Sequence, residues 1–382
     1  MQALRMASLE NRASARPAPA VAFWISLVFV PLIAVAAWLG GAWLLLIPLY
    51  SWFVMSLLDK VFGLDRRNAD PGIPDRDLPW HRAVTLIWLP VQIALIYGCI
   101  AVATVPDHLT TGEALALMVC LGIVTGGVGI VYAHELIHQR SRLERRLGEW
   151  LLISVLYGHF RTEHLFVHHV HVGTPRDAVT ARYNEGFYRF FARVLPGCLV
   201  SAWRIEAERL ARLGLPVWSR RNPFWRYIPG ALACLAAAWA LGGWYGVGLY
   251  AVQAFTAVLH LELVNYVEHY GLVRLRTGEG KYEPVGLHHS WNAAHRFTNF
   301  LFINLQRHSD HHYKPDRRFP LLQHHAAAEA PQQPFGYPIM TTLALNPPLW
   351  RRVMNKRVRA WRQRFYPQVS DWSGWPELPE TT

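Results

Sequence analysis

Eight histidines stand in three runs: His134 and His138; His164, His168 and His169; His308, His311 and His312. The runs read H-E-L-I-H, H-L-F-V-H-H and H-S-D-H-H, and nearly every gap is three or four residues. On a helix such gaps put side chains on one face, so each run offers several imidazoles in one direction. Imidazole suits iron, zinc, copper and nickel. A structural zinc site takes about four ligands, so eight imidazoles point to two metals.

Other residues lie close enough to the runs to matter. Glu135, Glu163, Glu262, Glu268, Asp177 and Asp310 are carboxylates near the imidazoles, and any of them can hold a ligand's outer ring nitrogen. His159, His171, His288, His289 and His295 are candidates for the same orienting task. His324 and His325 read as solvated, and His81, His108 and His260 have no spacing partner. The first run also matches the H-E-x-x-H zinc-protease pattern, with Glu135 as general base. That alternative needs one further ligand and leaves two runs without a role.

Those runs must be positioned by membrane helices. Of 382 residues, 52% are hydrophobic and 17% charged, against roughly 25% charged in soluble domains. Four scattered cysteines form no C-x-x-C, so neither a disulfide framework nor a thiolate site is indicated. The net charge of +12 suits anionic lipid or an acidic protein, and the apolar content argues against nucleic acid. Six spans are predicted, at about 20–39, 42–58, 83–105, 114–133, 228–241 and 245–267. Cleavage of the first as a signal peptide at Ala34-Val35-Ala36 is the alternative, opposed by apolar sequence that continues to Leu58.

Arginines and lysines sort by side. Arg5, Arg12 and Arg16 precede the first span; Lys60, Arg66, Arg67, Arg76 and Arg82 follow the second; Arg140, Arg142, Arg145 and Arg146 follow the fourth. The intervening links carry none. The positive-inside rule then places both termini, and all three histidine runs, on the cytoplasmic side. The predicted fold is an all-α integral membrane protein with six transmembrane helices and a helical di-metal domain on the cytoplasmic side. It divides into a cytoplasmic N-terminal segment (1–19), a membrane domain (20–366) and a tail or linker (367–382). Such a linker could lead to a further domain, such as a fused rubredoxin.

The three runs together resemble the membrane di-iron family of fatty-acyl desaturases, hydroxylases and alkane monooxygenases. Asn265–Leu272 (N-Y-V-E-H-Y-G-L), Leu305–His312 (L-Q-R-H-S-D-H-H) and His289-Ser290-Trp291-Asn292 are similar to the signatures of the alkane 1-monooxygenases. The resemblance implies two irons, dioxygen as co-substrate, and His269 as a ninth ligand that spacing alone leaves as a lone helix-end histidine. It implies terminal hydroxylation of n-alkanes with electrons from rubredoxin and its reductase, in a bacterial-type inner membrane. Hydroxylation or desaturation of an acyl chain or an aromatic methyl group is the nearest rival. Glu135, Glu268, Asp310 and His289 are the candidates for supporting the ligands. Trp52, Phe53 and Leu57 are candidates for the wall of an apolar channel, although lipid-facing side chains read the same way. The chain has no G-x-G-x-x-G motif or C-x-x-C pair of its own for electron transfer.

The stretch 350–365 puts Trp350, Val353, Met354, Val358, Trp361 and Phe365 on one helical stripe. Arg351, Arg352, Lys356, Arg357, Arg359, Arg362 and Arg364 lie elsewhere around it. A basic amphipathic helix of this kind is expected to lie on anionic lipid; docking of an acidic rubredoxin is the alternative.

Overall fold

The computed structural model describes residues 16–372. Arg5 and Arg12 of the N-terminal segment and the tail beyond Trp372 lie outside the described residues.

Four apolar stretches form α1 (Ala20–Leu39), α2 (Gly41–Phe62), α3 (Pro79–Ala103) and α4 (Thr111–His138). Less apolar sequence then forms α5 (Arg142–Ile153), α6 over residues 160–171, and α7 (Phe187–Ala211). The longest helix, α8 (Phe224–His269), completes the five among the described residues that are long and apolar enough to cross a membrane. These helices make the chain an integral membrane protein. Its backbone leaves helical geometry at Gly242 and Gly243. There the chain doubles back, bringing Gly246 so close to the Ala238 carbonyl that a Cβ would collide with it. Tyr97 spans both arms, bonding the Cys234 carbonyl at 3.0 Å with its ring 6.1 Å from that of Tyr250. Residues 228–241 and 245–267, expected as the fifth and sixth spans, lie in the two arms of α8. α4 runs past the expected end at 133 to His138, so its histidines belong to the helix itself.

Caps and glycines fix how these helices meet. Thr110 and Glu113 form a capping box at the start of α4. Glu113 also accepts the Gly41 amide at 2.7 Å, clamping the α1–α2 turn, where Gly40 and Gly41 have positive φ. Further along α4, a Cβ on Gly122 would lie 2.7 Å from the Gln253 carbonyl, and one on Gly126 2.7 Å from that of Ala257. This small-xxx-small spacing lets α4 and the second arm of α8 pack backbone to backbone. Their ends, carrying His134, His138 and His269, therefore come together.

The remaining chain folds over that end. A two-stranded antiparallel hairpin (Arg276–Gly278 with Lys281–Tyr282) is the departure from an all-α fold. After it come α9 (Arg296–Leu301), α10 (His308–Tyr313), α11 (Tyr337–Ala344) and α12 (Pro347–Phe365). Asp59, at the end of α2, accepts both the amide and the hydroxyl of Thr298 at 2.9 and 2.8 Å, which ties α9 to the membrane helices.

α12 corrects an expectation. Its apolar residues Trp350, Met354, Val358 and Trp361 are buried against Tyr266, Tyr270 and the α7 aromatics Phe187 and Phe190. The stripe covers the protein's own core, so it is not a lipid-facing surface. Arg351, Arg352, Lys356 and Arg359 face outward. Arg357 is half-buried, with its guanidinium on the Val353 carbonyl, and Arg362 stacks on Tyr183 and Trp372.

Candidate metal centre

Nine imidazoles converge from four elements and divide into two sets. His134, His138, His164, His169 and His311 form one; His168, His269, His308 and His312 form the other. Within each set the candidate ligand nitrogens all lie within 4.8 Å of one another. α6 serves both sets because residues His164–His168 form a π turn. In a regular α-helix residues four apart share a face; the widened turn sends His164 to the five-membered set and His168 to the four-membered one.

Facing nitrogens are close. His138 and His164 meet Nε2 to Nε2 at 3.0 Å, as do His164 and His169, while His169 and His311 stand at 3.1 Å. In the second set His308 lies 3.1 Å from both His269 and His312. Two nitrogens bound at right angles to one ion, with bonds of about 2.1 Å, are about 3.0 Å apart. The buried Nε2 atoms of His134 and His168 have no hydrogen-bond partner among the described residues. Burial, reinforced by neighbouring imidazoles, holds His164, His169, His308, His311 and His312 well below the ordinary histidine range. They are therefore neutral, the form that binds metal. Spacing, orphaned nitrogens and protonation state all fit a pair of metal ions.

The surrounding carboxylates differ in role. Asp177 holds Nδ1 of His168 at 3.0 Å and is itself fixed by the Val179 amide and the Thr180 hydroxyl. Burial would raise the Asp177 pKa, but His168 and these hydrogen bonds outweigh it and hold the group below its ordinary value. Glu268 accepts the Tyr337 hydroxyl at 2.5 Å and lies 3.3 Å from Nε2 of His308. Glu135 points elsewhere, bonding Gln139 at 2.8 Å with Arg318 4.0 Å away. Asp310 is taken up by Arg317, His325 and the Gln323 amide. The protease alternative thus loses its geometry: His134 and His138 sit among five imidazoles, with Glu135 turned to other partners.

His289 is bonded to the Gly286 amide through Nδ1 and to the Tyr366 hydroxyl through Nε2. With His288 and Glu283 it forms a third histidine–carboxylate group. Because Nδ1 of His289 accepts from an amide, the neutral ring carries its proton on Nε2, which removes the lone pair a metal would need there. Tyr366, donating to Glu283, makes this group a hydrogen-bonded strut for the end of α12.

Two buried arginines that spacing could not reveal hold the ligand segments. Arg274 caps the end of α6 through the Val170 and Val172 carbonyls at 2.9 and 3.3 Å. Arg307, next to His308, bonds the carbonyls of Leu322 and Arg67 at 2.6 and 3.0 Å. Their partners are distant in sequence and carry no motif.

A narrow apolar cavity of about 50 Å³ opens onto the imidazoles. His134, His164, His308 and Glu268 stand at its polar end, so it reaches both sets. Trp52 lines it, whereas Phe53 and Leu57 are 71% and 60% exposed on the outside of α2. His260, which had no spacing partner, is also in the wall, its ring 6.3 Å from that of Trp52. Tyr337 and Thr341 of α11 also line it.

Residues 112–344 match the fatty acid desaturase family. The chain is 41% identical to alkane 1-monooxygenase 1 of Pseudomonas aeruginosa over 309 residues, 80% of each chain. It is 38% identical to alkane 1-monooxygenase 2 of the same organism, over 91% of this chain and 94% of the relative. A more distant relative, at 29% identity over 86% of this chain and 84% of its own length, is the xylene/toluene monooxygenase hydroxylase component of Pseudomonas putida.

Proposed function

The chain belongs to the alkane 1-monooxygenase family, and from that premise we propose that it hydroxylates the terminal carbon of n-alkanes to primary alcohols. The observation that carries this reading is the junction of two imidazole sets with one narrow apolar cavity. When bound, two irons supply the reduction of dioxygen, which no side chain can perform. All nine histidines are assigned as their ligands.

The chain's own residues do the rest. An alkane has no polar handle, so selectivity for its end carbon comes from the shape of the cavity. Phe29, Ile123, Val131 and Phe302 supply apolar wall and exclude water. Glu268 is the one carboxylate in that wall among the described residues. Its hydrogen bond from Tyr337 and its approach to His308 place it to hold one of the two protons the reaction consumes.

Electrons come from outside, from a rubredoxin recharged by its reductase. The outward face of α12, with Arg351, Arg352, Lys356 and Arg359, is the proposed dock, where opposite charge speeds encounter. Counting the arms of α8 separately gives six spans. The positive-inside rule, applied to the arginine-rich loops, supports a cytoplasmic histidine end in a bacterial-type inner membrane.

The test is metal content, with product analysis from octane under air and reduced rubredoxin. Two irons per chain and 1-octanol are expected. One zinc without oxygenated product would overturn the reading. The xylene/toluene relative favours a second substrate class, a methyl group on an aromatic ring, and benzyl alcohol from toluene in the absence of octanol would select it.

A further inference from the structure

Two pockets on the histidine side lie against each other and share Arg161 and Arg226 as wall. The larger, about 490 Å³, adds Arg209, Arg212 and Arg221 from α7 and the loop after it. The smaller, about 300 Å³, adds Arg142, Arg145 and Arg146 from α5. Two carboxylates, Glu149 and Glu206, face this group, and both are already engaged. Glu149 pairs with Arg226 at 2.6 Å and Arg146 at 3.0 Å, and Glu206 with Arg209 at 2.9 Å. Through their side chains, Arg142, Arg212 and Arg221 make no hydrogen bond or ion pair among the described residues. Cations converging on one cavity repel unless an anion is shared between them, and guanidinium groups match phosphate oxygens two by two.

The rim says where that anion comes from. Trp150 and Trp225 are chain neighbours of the lining residues Glu149 and Arg226, the Trp225 indole donates to the Trp218 carbonyl at 3.1 Å, and the three are 42% (Trp150), 68% (Trp218) and 54% (Trp225) exposed. Tryptophan concentrates at membrane–water interfaces, and Trp225 lies in the first turn of the membrane helix α8. Leu213, in the wall of the larger pocket, and Ile228, about one turn along α8 from Trp225, are also exposed. Basic pockets between membrane helices on this side suit phospholipid headgroups. α12, by contrast, presents no exposed tryptophan.

We infer that this double pocket binds the phosphate of an anionic phospholipid whose acyl chains run down beside Trp225 and Ile228. The site also touches the metal-bearing segment. Arg209 stacks 4.0 Å over the ring of Phe166, which lies in the π turn between His164 and His168. Glu206 bonds Thr162 of α6 at 3.0 Å. A lipid that neutralises the pocket therefore steadies the helix that supplies three imidazoles.

The test compares the full chain with a triple variant, Arg142→Gln, Arg212→Gln and Arg221→Gln. Both are placed in discs of phosphatidylcholine alone or phosphatidylcholine with phosphatidylglycerol. The wild type is expected to melt higher in the anionic discs, and the variant to lose that difference. Phosphatidylglycerol retained through detergent purification should fall at least about tenfold in the variant. A control, Arg351→Gln with Arg352→Gln and Arg359→Gln, should keep the wild-type response. Equal shifts in wild type and triple variant, or loss of the shift in the control, would overturn the assignment. So would inorganic phosphate reproducing the stabilisation in detergent, which would make the pocket a free-phosphate site. A triple variant that retains lipid but loses rubredoxin-driven turnover would identify a protein dock instead.

Discussion

A carboxylate on the outer nitrogen of a ligand histidine decides which nitrogen faces the metal. For His168 that carboxylate is Asp177. Six carboxylates lie near the histidines in sequence, yet nothing in their spacing selects this one, because Asp177 reaches back across the Gly173 turn rather than along a helix face. The imidazoles themselves were legible: the spacing of eight histidines points to two metals, and the resemblance adds His269. Asp177→Asn removes the charge and keeps the shape, so affinity for the second metal should fall about 10–100-fold. Metal content after dialysis, with circular dichroism to confirm the fold, measures this; two metals retained at wild-type affinity would refute it. Glu268→Gln is the contrasting variant, because Glu268 faces the cavity and His308 through its carboxylate oxygens. It should keep both metals and lose turnover by about 10²-fold or more, the usual contribution of a positioned proton-transfer group.

Helix contacts decide whether the two imidazole sets meet. The apolar stretches announce the membrane helices, but which helices pack, and the close contact at Gly122 and Gly126, emerge only in the fold. The stripe on α12 has the same ambiguity, since apolar residues pointing to lipid and to protein look alike in sequence. What separates them is Tyr266, Tyr270 and Trp350 packing on one another, a tertiary fact. Gly126 and its neighbour Gly127 test this contact from two sides. A side chain at Gly126 meets the Ala257 backbone, which has no room to yield. Gly126→Val should therefore destabilise by about 1–3 kcal/mol and shift the end of α4 away from α8. At Gly127 an added Cβ stands 3.5 Å from His260 and 3.7 Å from Phe302, ordinary contact distances inside the cavity wall. Gly127→Ala should leave the melting temperature unchanged and move substrate preference toward shorter alkanes. Product distributions from competing C6 to C12 alkanes read this out, and an unchanged distribution would place the substrate elsewhere.

At the scale of the whole molecule, the metals and the fold stabilise each other. Burial keeps His164, His169, His308, His311 and His312 neutral in the folded chain. In the unfolded chain they titrate near about pH 6.5. Below that value the unfolded state binds more protons than the folded state, so stability falls as pH drops and levels off above it. Metal ions oppose this loss, because they occupy the same lone pairs and bind the folded chain. Removing them with a chelator at pH 7.5 should lower the melting temperature by about 5–10 °C, the shift expected for two ions each present at some hundredfold over its dissociation constant. Acidifying the metal-free protein to pH 5.5 should lower it further, whereas the metal-loaded protein should hold its melting temperature until protons displace the ions. The two curves should therefore diverge as the pH first falls and converge once the metal is gone. A metal-free protein that melts with the loaded one at pH 7.5, or that gains stability on acidification, would show that the nine imidazoles are satisfied without metal.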